Sequence, residues 1–162
     1  MTSDVLRARV GELSARVKGE VEESLGVLEL TINYPEAIEA LTGAKNFGDV
    51  PCDFLHDLAG MDLEDHLEVV YQLSSLRGPQ RLRIIARVER DNPVIDSATR
   101  IWKGANFLER EAFDMFGIQF RGHPNLKRIY LWDDFKGYPM LKDYVIESHE
   151  QRAIMRVRKE GE

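Results

Sequence analysis

Near the start of the chain, apolar residues recur at Leu6, Val10, Leu13 and Val17, a spacing that winds one apolar stripe down a helix. Gly19 predicts its stop. From Val27 the period changes to two. Leu28, Leu30 and Ile32 alternate with Val27, Glu29 and Thr31, which predicts a strand with one strongly apolar face. After Pro35, the residues Ala37, Ile38, Ala40 and Leu41 predict a short helix ending near Gly43. Pro51 opens the stretch CDFLHDLAGMDL, read as strand or extended chain running into a turn at Gly60. The strongest pattern is a hairpin. Leu67, Val69, Tyr71 and Leu73 form one face of its first arm and Leu82, Ile84, Ala86 and Val88 one face of its second, with a Gly78-Pro79 turn between. The other face carries Arg81, Arg83 and Arg87, with Glu68 on the facing arm. Cross-strand charge pairing accounts for them more simply than an anion site.

All six prolines fall between these elements. The element order predicts an α+β fold: a two-layer domain with a mostly antiparallel sheet and flanking helices over residues 1–117. An extended, partner-binding C-terminal arm, residues 118–162, follows. The segment 105–129, ANFLEREAFDMFGIQFRGHPNLKRI, is the unusual one. Asn106 followed by Glu109 predicts a capping box, and Leu108, Ala112, Met115 and Phe116 predict an apolar stripe. Gly117 stands where a left-handed cap ends a helix. Arg110 and Asp114, one turn apart, predict an ion pair of about 0.3–0.5 kcal/mol if exposed. A solvated amphipathic helix would have these features. The flanking Phe107, Phe113, Phe116 and Phe120 instead predict that several charges are partly desolvated and need partners. Beyond Gly117 the helical period is lost, while aromatics and cations persist from Phe120 and Arg121 to Tyr138. That composition on an irregular segment predicts an interface, mobile until docked.

Composition narrows the function classes. The net charge of −6 argues against nucleic acid and against direct attachment to an anionic membrane. A single cysteine, Cys52, excludes an internal disulfide framework and a thiolate-held cluster, and predicts a buried structural thiol. No apolar run approaches the roughly 20 residues that span a bilayer. The N-terminus lacks a signal core, and Asp4 and Glu12 sit poorly with a transit peptide. Glycine-rich phosphate loops, C-x-x-C and H-E-x-x-H are absent, and Cys52, His56 and His66 offer no complete zinc set. The expectation is a chain with no catalytic, cofactor-binding or metal-ligating residues of its own.

The run WKGANFLEREAFDMFGIQFRGHPNLKRI resembles the signature of the C-subunit (30 kDa-type) family of proton-pumping NADH:quinone oxidoreductase, respiratory complex I. DFLHDLAGMDL, LEVVYQLSSL, RLRIIARV and NPVIDSATRIW agree with it, so the resemblance covers about residues 50–144. It implies a scaffold and assembly subunit of the hydrophilic arm, packed against the D subunit that helps form the quinone site. FMN and Fe-S clusters would lie in partner subunits, with NADH and quinone met only through the complex. It further implies peripheral attachment, through partners, to the cytoplasmic face of an energy-converting membrane. The implied interface residues are Glu109, Arg110, Glu111, Asp114, Gly117, His123, Pro124 and Arg128, with Lys142, Asp143 and Tyr144 at the end of the matched region. One departure stands out. Leu141 occupies the place of an arginine in the family's P-L-R-K-D-Y ending, so any carboxylate or carbonyl that arginine meets is absent here or served by Lys142. Related subunits serve membrane-bound [NiFe] hydrogenases and deazaflavin-dependent and photosynthetic quinone reductases. A different class of reading, a stand-alone acid–base enzyme, would use Glu109, Glu111 and His123.

Overall fold

The computed structural model of the chain describes residues 4–145. The first helix, α1, spans Asp4–Val17 and buries Leu6, Val10, Leu13 and Val17, the four residues of the predicted stripe. Strands β1 (Glu20–Ser24) and β2 (Val27–Asn33) follow, then a 3-10 turn and α2 (Ala37–Lys45). Three nine-residue strands come next: β3 (Phe54–Asp62), β4 (His66–Ser74) and β5 (Arg81–Glu89). The short β6 (Val94–Asp96), α3 (Ala105–Phe116) and the short β7 (Gln119–Arg121) complete the regular structure of the described residues.

The main sheet has the order β1-β2-β5-β4-β3, with antiparallel pairs except for β2 beside β5, which run parallel. The hairpin register sets Leu67 against Val88, Val69 against Ala86, Tyr71 against Ile84 and Leu73 against Leu82. All eight are buried, in one cluster with Leu28, Leu30 and Ile32 of β2, the stripe of α1, the alanines of α2 and Ala105 and Ala112 of α3. Burying a large aliphatic side chain contributes about 1.5–3 kcal/mol, so this alternation fixes the register. Helices α1, α2 and α3 lie on this one face of the sheet, and the opposite face carries mostly polar alternates around a Val70–Ile85 rung. The two-layer α+β expectation describes the molecule.

Two expectations change. Gly60 does not make a turn; β3 runs through it to Asp62. A Cβ at Gly60 would meet the Phe116 ring at 2.6 Å, so glycine is the residue that lets α3 lie on this strand. The chain also does not leave the domain at residue 117. Ile118 and Phe120 are buried in the common core, and β7 pairs parallel with β6, an Ile95–Phe120 rung at its centre. Residues 122–145 have little regular structure, yet side chains tie them to the domain as described below. The part of the predicted arm beyond residue 145 lies outside the described residues. Cys52 is buried as expected, and burial pushes its thiol up to about 12.

Candidate functional site

The residues that carry the signature meet at α3, but not in the pairs that local spacing suggested. No side chain caps the helix start. Gly104 at the N-cap has helical backbone angles (φ −63°, ψ −21°), and the predicted Asn106–Glu109 capping box does not form. Glu109 turns inward instead and exposes no surface. Its carboxyl accepts from the Ser97 hydroxyl at 2.7 Å and from the Ala98 backbone N–H at 2.6 Å. Burial pushes this carboxyl up to about 7, against the two hydrogen bonds that favour the charged form. Nearby, the Tyr71 hydroxyl is buried with no hydrogen-bond partner among the described residues, and burial raises the phenol, helped by the charges of Glu109 and Asp96.

Asp114 has the opposite environment. It too is fully buried, but its Oδ1 accepts from Arg128 at 2.8 Å, and its Oδ2 accepts the backbone N–H groups of Ile129, Tyr130 and Leu131 at 2.8–3.0 Å. Burial alone would raise this carboxyl; the Leu131 N–H, Arg128 and the other two N–H groups outweigh it and hold it below its usual range. Arg128 uses its second nitrogen on the carbonyls of Phe135 and Gly137, and its guanidinium lies over the rings of Phe135 and Tyr138. The expected Arg110–Asp114 pair is therefore not made. Arg110 donates to the carbonyls of Lys127 and Arg128, a site fixed by chain folding rather than by helical spacing.

A second tie holds the far end of the same segment. Asp62, at the end of β3, accepts from Arg90 and from the backbone N–H groups of Glu64 and Lys142, each at 2.8 Å for the backbone donors. Burial opposes its ionisation, but the Arg90 hydrogen bond, the two N–H groups and the Arg90 charge lower it to about 2. Arg90 also reaches Asp143 at 2.8 Å, and the Lys142 ammonium pairs with Glu64 at 3.1 Å. Leu141 packs its side chain against the core cluster, so this chain places an apolar anchor where the resemblance implies an arginine. Lys142 is not a substitute inside that core; its charge is spent at the surface on Glu64.

Between these ties the chain turns at residues that tolerate it. Gly117 takes φ +78° at the helix end, as the sequence predicted, and its missing side chain leaves room for the Tyr138 ring. The Tyr144 ring covers Gly137 (φ +80°) and stacks on Phe135. At His123 the hydrogen bonds settle the tautomer. The Asn125 N–H donates to Nδ1 at 3.0 Å, so the ring proton sits on Nε2 and is donated to the Asn106 carbonyl at 3.1 Å.

The structure thus brings Arg110, Asp114, Gly117 and Arg128 together as an internal clasp, with Glu109 buried separately at the Ser97 turn. Glu111, Pro124, Lys142 and Asp143 are exposed, while His123 and Tyr144 are half-buried. Glu109, Glu111 and His123 form no open acid–base constellation, since one has no surface and both ring nitrogens of His123 are engaged. Sequence reasoning missed Ser97, Asp62 and Arg90. The one sequence signal for Asp62 is its place among Glu64 and Asp65, more carboxylates than nearby cations, which leaves room for a distant arginine such as Arg90. Among the described residues no three His, Cys, Asp or Glu side chains are grouped to hold a metal, and no helix is long and apolar enough to cross a membrane.

Comparison with known proteins agrees with the motif. The sequence model of the family described as respiratory-chain NADH dehydrogenase, 30 Kd subunit, matches residues 30–150. The second NADH-quinone oxidoreductase C subunit of Rhizobium meliloti (strain 1021) is 33% identical over 150 residues, covering 91% of this chain and 81% of the relative. The NADH-quinone oxidoreductase C subunit of Moorella thermoacetica is 37% identical over 131 residues, 80% of this chain and 87% of the relative. Among solved structures, the trypsin-resistant fragment (1-134) of Nqo5 superposes with a TM-score of 0.65 at 32% identity, covering 75% of this chain and 99% of the fragment. The chain belongs to the family of the 30 kDa subunit of respiratory-chain NADH dehydrogenase.

Proposed function

We propose that this chain is the C subunit of an NADH:quinone oxidoreductase and acts there as a scaffold, contributing no redox group. Electrons would pass from NADH through FMN and Fe-S clusters of other subunits to quinone, coupled to proton translocation. The chain's work is to hold a shaped surface against its neighbours in the hydrophilic arm, first among them the D subunit. It would sit on the cytoplasmic face of the membrane and reach lipid only through partners.

One observation carries this reading. Arg110, Asp114 and Arg128 of the signature spend their polar groups on bonds that shape the 118–145 segment, rather than presenting them to a substrate. Asp114 and Arg128 fix an irregular stretch whose outer side presents Tyr130 and Met140 to solvent, and Phe107 of α3 is exposed as well. Exposed aromatics and methionine on a rigidly held segment suit a docking surface. Within that surface Glu111, His123, Pro124, Lys142, Asp143 and Tyr144 would meet the partner. Glu109, Arg110, Asp114, Gly117 and Arg128 would act from behind by holding its shape.

The test is purification of the tagged chain from detergent-solubilised membranes of its source. The proposal expects a large assembly containing the D subunit and oxidising NADH with quinone, and metal and visible-absorption analysis of the chain alone showing neither iron nor flavin. Recovery of the chain free of such an assembly, or stoichiometric iron or flavin in the pure chain, would overturn it.

A further inference from the structure

The outer face of the sheet, which no helix among the described residues covers, carries three arginines with different surroundings. Arg83 is ion-paired to Glu29 across the parallel β2–β5 pair. Arg87 lies 3.8 Å from Glu68 and 3.9 Å from Glu20. Cross-strand pairing accounts for these two. Arg81, opposite Ser74 at the start of β5, is exposed and makes no ion pair among the described residues.

The neighbouring edge strand is irregular at one place. Leu55 pairs with Leu73, but the next rung joins Asp57 to Gln72, so His56 is an extra residue in β3. Leu55 and Leu58 are both buried, three positions apart, where strict alternation would return to the core after two. The bulge therefore keeps the core register on both sides while adding one residue to the outer face. That residue is His56, whose ring lies edge-on to Phe54 with centroids 6.3 Å apart.

Together these features enclose a hollow of about 250 Å³ lined by Val27, His56, Gln72, Ser74, Arg81 and Arg83. Its polar lining residues are two arginines, a histidine, a serine and a glutamine, beside the apolar Val27, Leu73 and Leu82. Among the described residues no Asp or Glu lines it, in a chain whose net charge is −6. Donors converging without an acid select an oxyanion. The charge balance selects which kind. Glu29 neutralises Arg83, so Arg81 supplies one uncompensated positive charge, which a singly charged carboxylate would balance. A phosphate dianion would leave excess negative charge in the hollow. Phe54, 42% exposed beside the bulge, adds an apolar rim that a free ion would not use.

We infer that this hollow seats an aspartate or glutamate side chain of a neighbouring subunit, making the bulged corner of the open sheet face a second docking point. The inference rests on the subunit reading above. Arg81 supplies the charge, Ser74 and Gln72 supply neutral donors, and the Phe54 ring packs against the partner beside the carboxylate.

The experiment is made on the whole complex, purified through a tag on a different subunit. A photo-crosslinking phenylalanine analogue replaces Phe54, and separately Arg81→Glu and Arg81→Lys are introduced. The expected result is a cross-link to a partner segment that contains Asp or Glu. Recovery of assembled complex should fall roughly tenfold or more for Arg81→Glu and stay near wild type for Arg81→Lys, because a reversed charge repels where a retained one does not. Thermal melting of the isolated Arg81→Glu chain should match wild type, which separates docking from folding. Full recovery of the Arg81→Glu complex, or a cross-link only to segments without acidic residues, would overturn the inference and leave the subunit reading standing. Titration of the isolated chain with inorganic phosphate gives a further arm: saturable binding abolished by Arg81→Glu would assign the hollow to a small anion and also overturn it. Absence of the wild-type chain from the purified complex would overturn both readings.

Discussion

Arg128 donates one guanidinium nitrogen to the Asp114 carboxylate at 2.8 Å and the other to the carbonyls of Phe135 and Gly137, both at 3.1 Å. A helix and two turns of an irregular segment thus share one side chain. Removing the carboxylate would strand the Arg128 charge and three backbone N–H groups away from water. Asp114→Ala should cost the isolated chain about 3–5 kcal/mol, the range for breaking a buried pair. Arg128→Lys should also destabilise, because an ammonium cannot reproduce the fork. Denaturant titration checks both, and a loss below about 1 kcal/mol for Asp114→Ala would mean the clasp does not hold the segment.

Glu109 makes an opposite prediction with pH. Its carboxyl is raised to about 7 in the folded chain, against 4.5 for an ordinary glutamate. The native state therefore keeps a proton that the unfolded state has lost between these values. The resulting stability is complete below about pH 4.5 and is lost as pH rises through about 7. At about 1.4 kcal/mol per unit, the span amounts to roughly 3 kcal/mol. Glu109→Gln, which keeps a neutral side chain of the same shape, should flatten the slope over this range. Chemical denaturation at several pH values would decide it: a wild-type stability that rises from pH 5 to 7 as much as that of the variant would contradict the buried acid.

Asp62 predicts the reverse direction. Its carboxyl is lowered to about 2, so its contribution is present above the ordinary aspartate value of 3.8 and is lost as pH falls towards 2. Because it accepts the Lys142 N–H, losing its charge should free the end of the 118–145 segment before the hairpin. Amide hydrogen exchange of Asp62→Asn at neutral pH should show faster exchange at residues 140–144 and unchanged exchange across β4 and β5. Uniform loss of protection in both regions would show that Asp62 supports the whole domain instead.

These relationships explain what was legible in the sequence. Period-two patterning gave the β4–β5 hairpin and its core face, because burial there depends only on alternation. β1 left no such trace: Glu20–Ser24 is exposed at every position, an edge strand recruited by β2 without an apolar face of its own. β6 and β7 have three residues each, too few to show a period. Two of the four charges of α3, Glu109 and Asp114, are buried as the flanking aromatics suggested, while Glu111 stays exposed, and the partners of the buried two were not visible. Glu109 bonds 11–12 positions upstream and Asp114 bonds 14–17 positions downstream, whereas helical spacing points only to residues three or four away. Gly60 misled for a similar reason, since its role depends on Phe116, which approaches only in the fold.

The central claim is that the exposed side of this region joins subunits and does not take part in the reaction, and Glu111 tests it most directly. It is exposed, and no ion pair holds it among the described residues. Glu111→Arg should therefore change the stability of the isolated chain by no more than about 0.5 kcal/mol. In the source membrane the paired measurement is the amount of assembled complex on a native gel and the NADH:quinone turnover normalised to that amount. The scaffold account predicts less assembled complex with near-normal turnover per complex. Normal assembly with lost turnover would contradict it and place this surface in the quinone or proton chemistry itself.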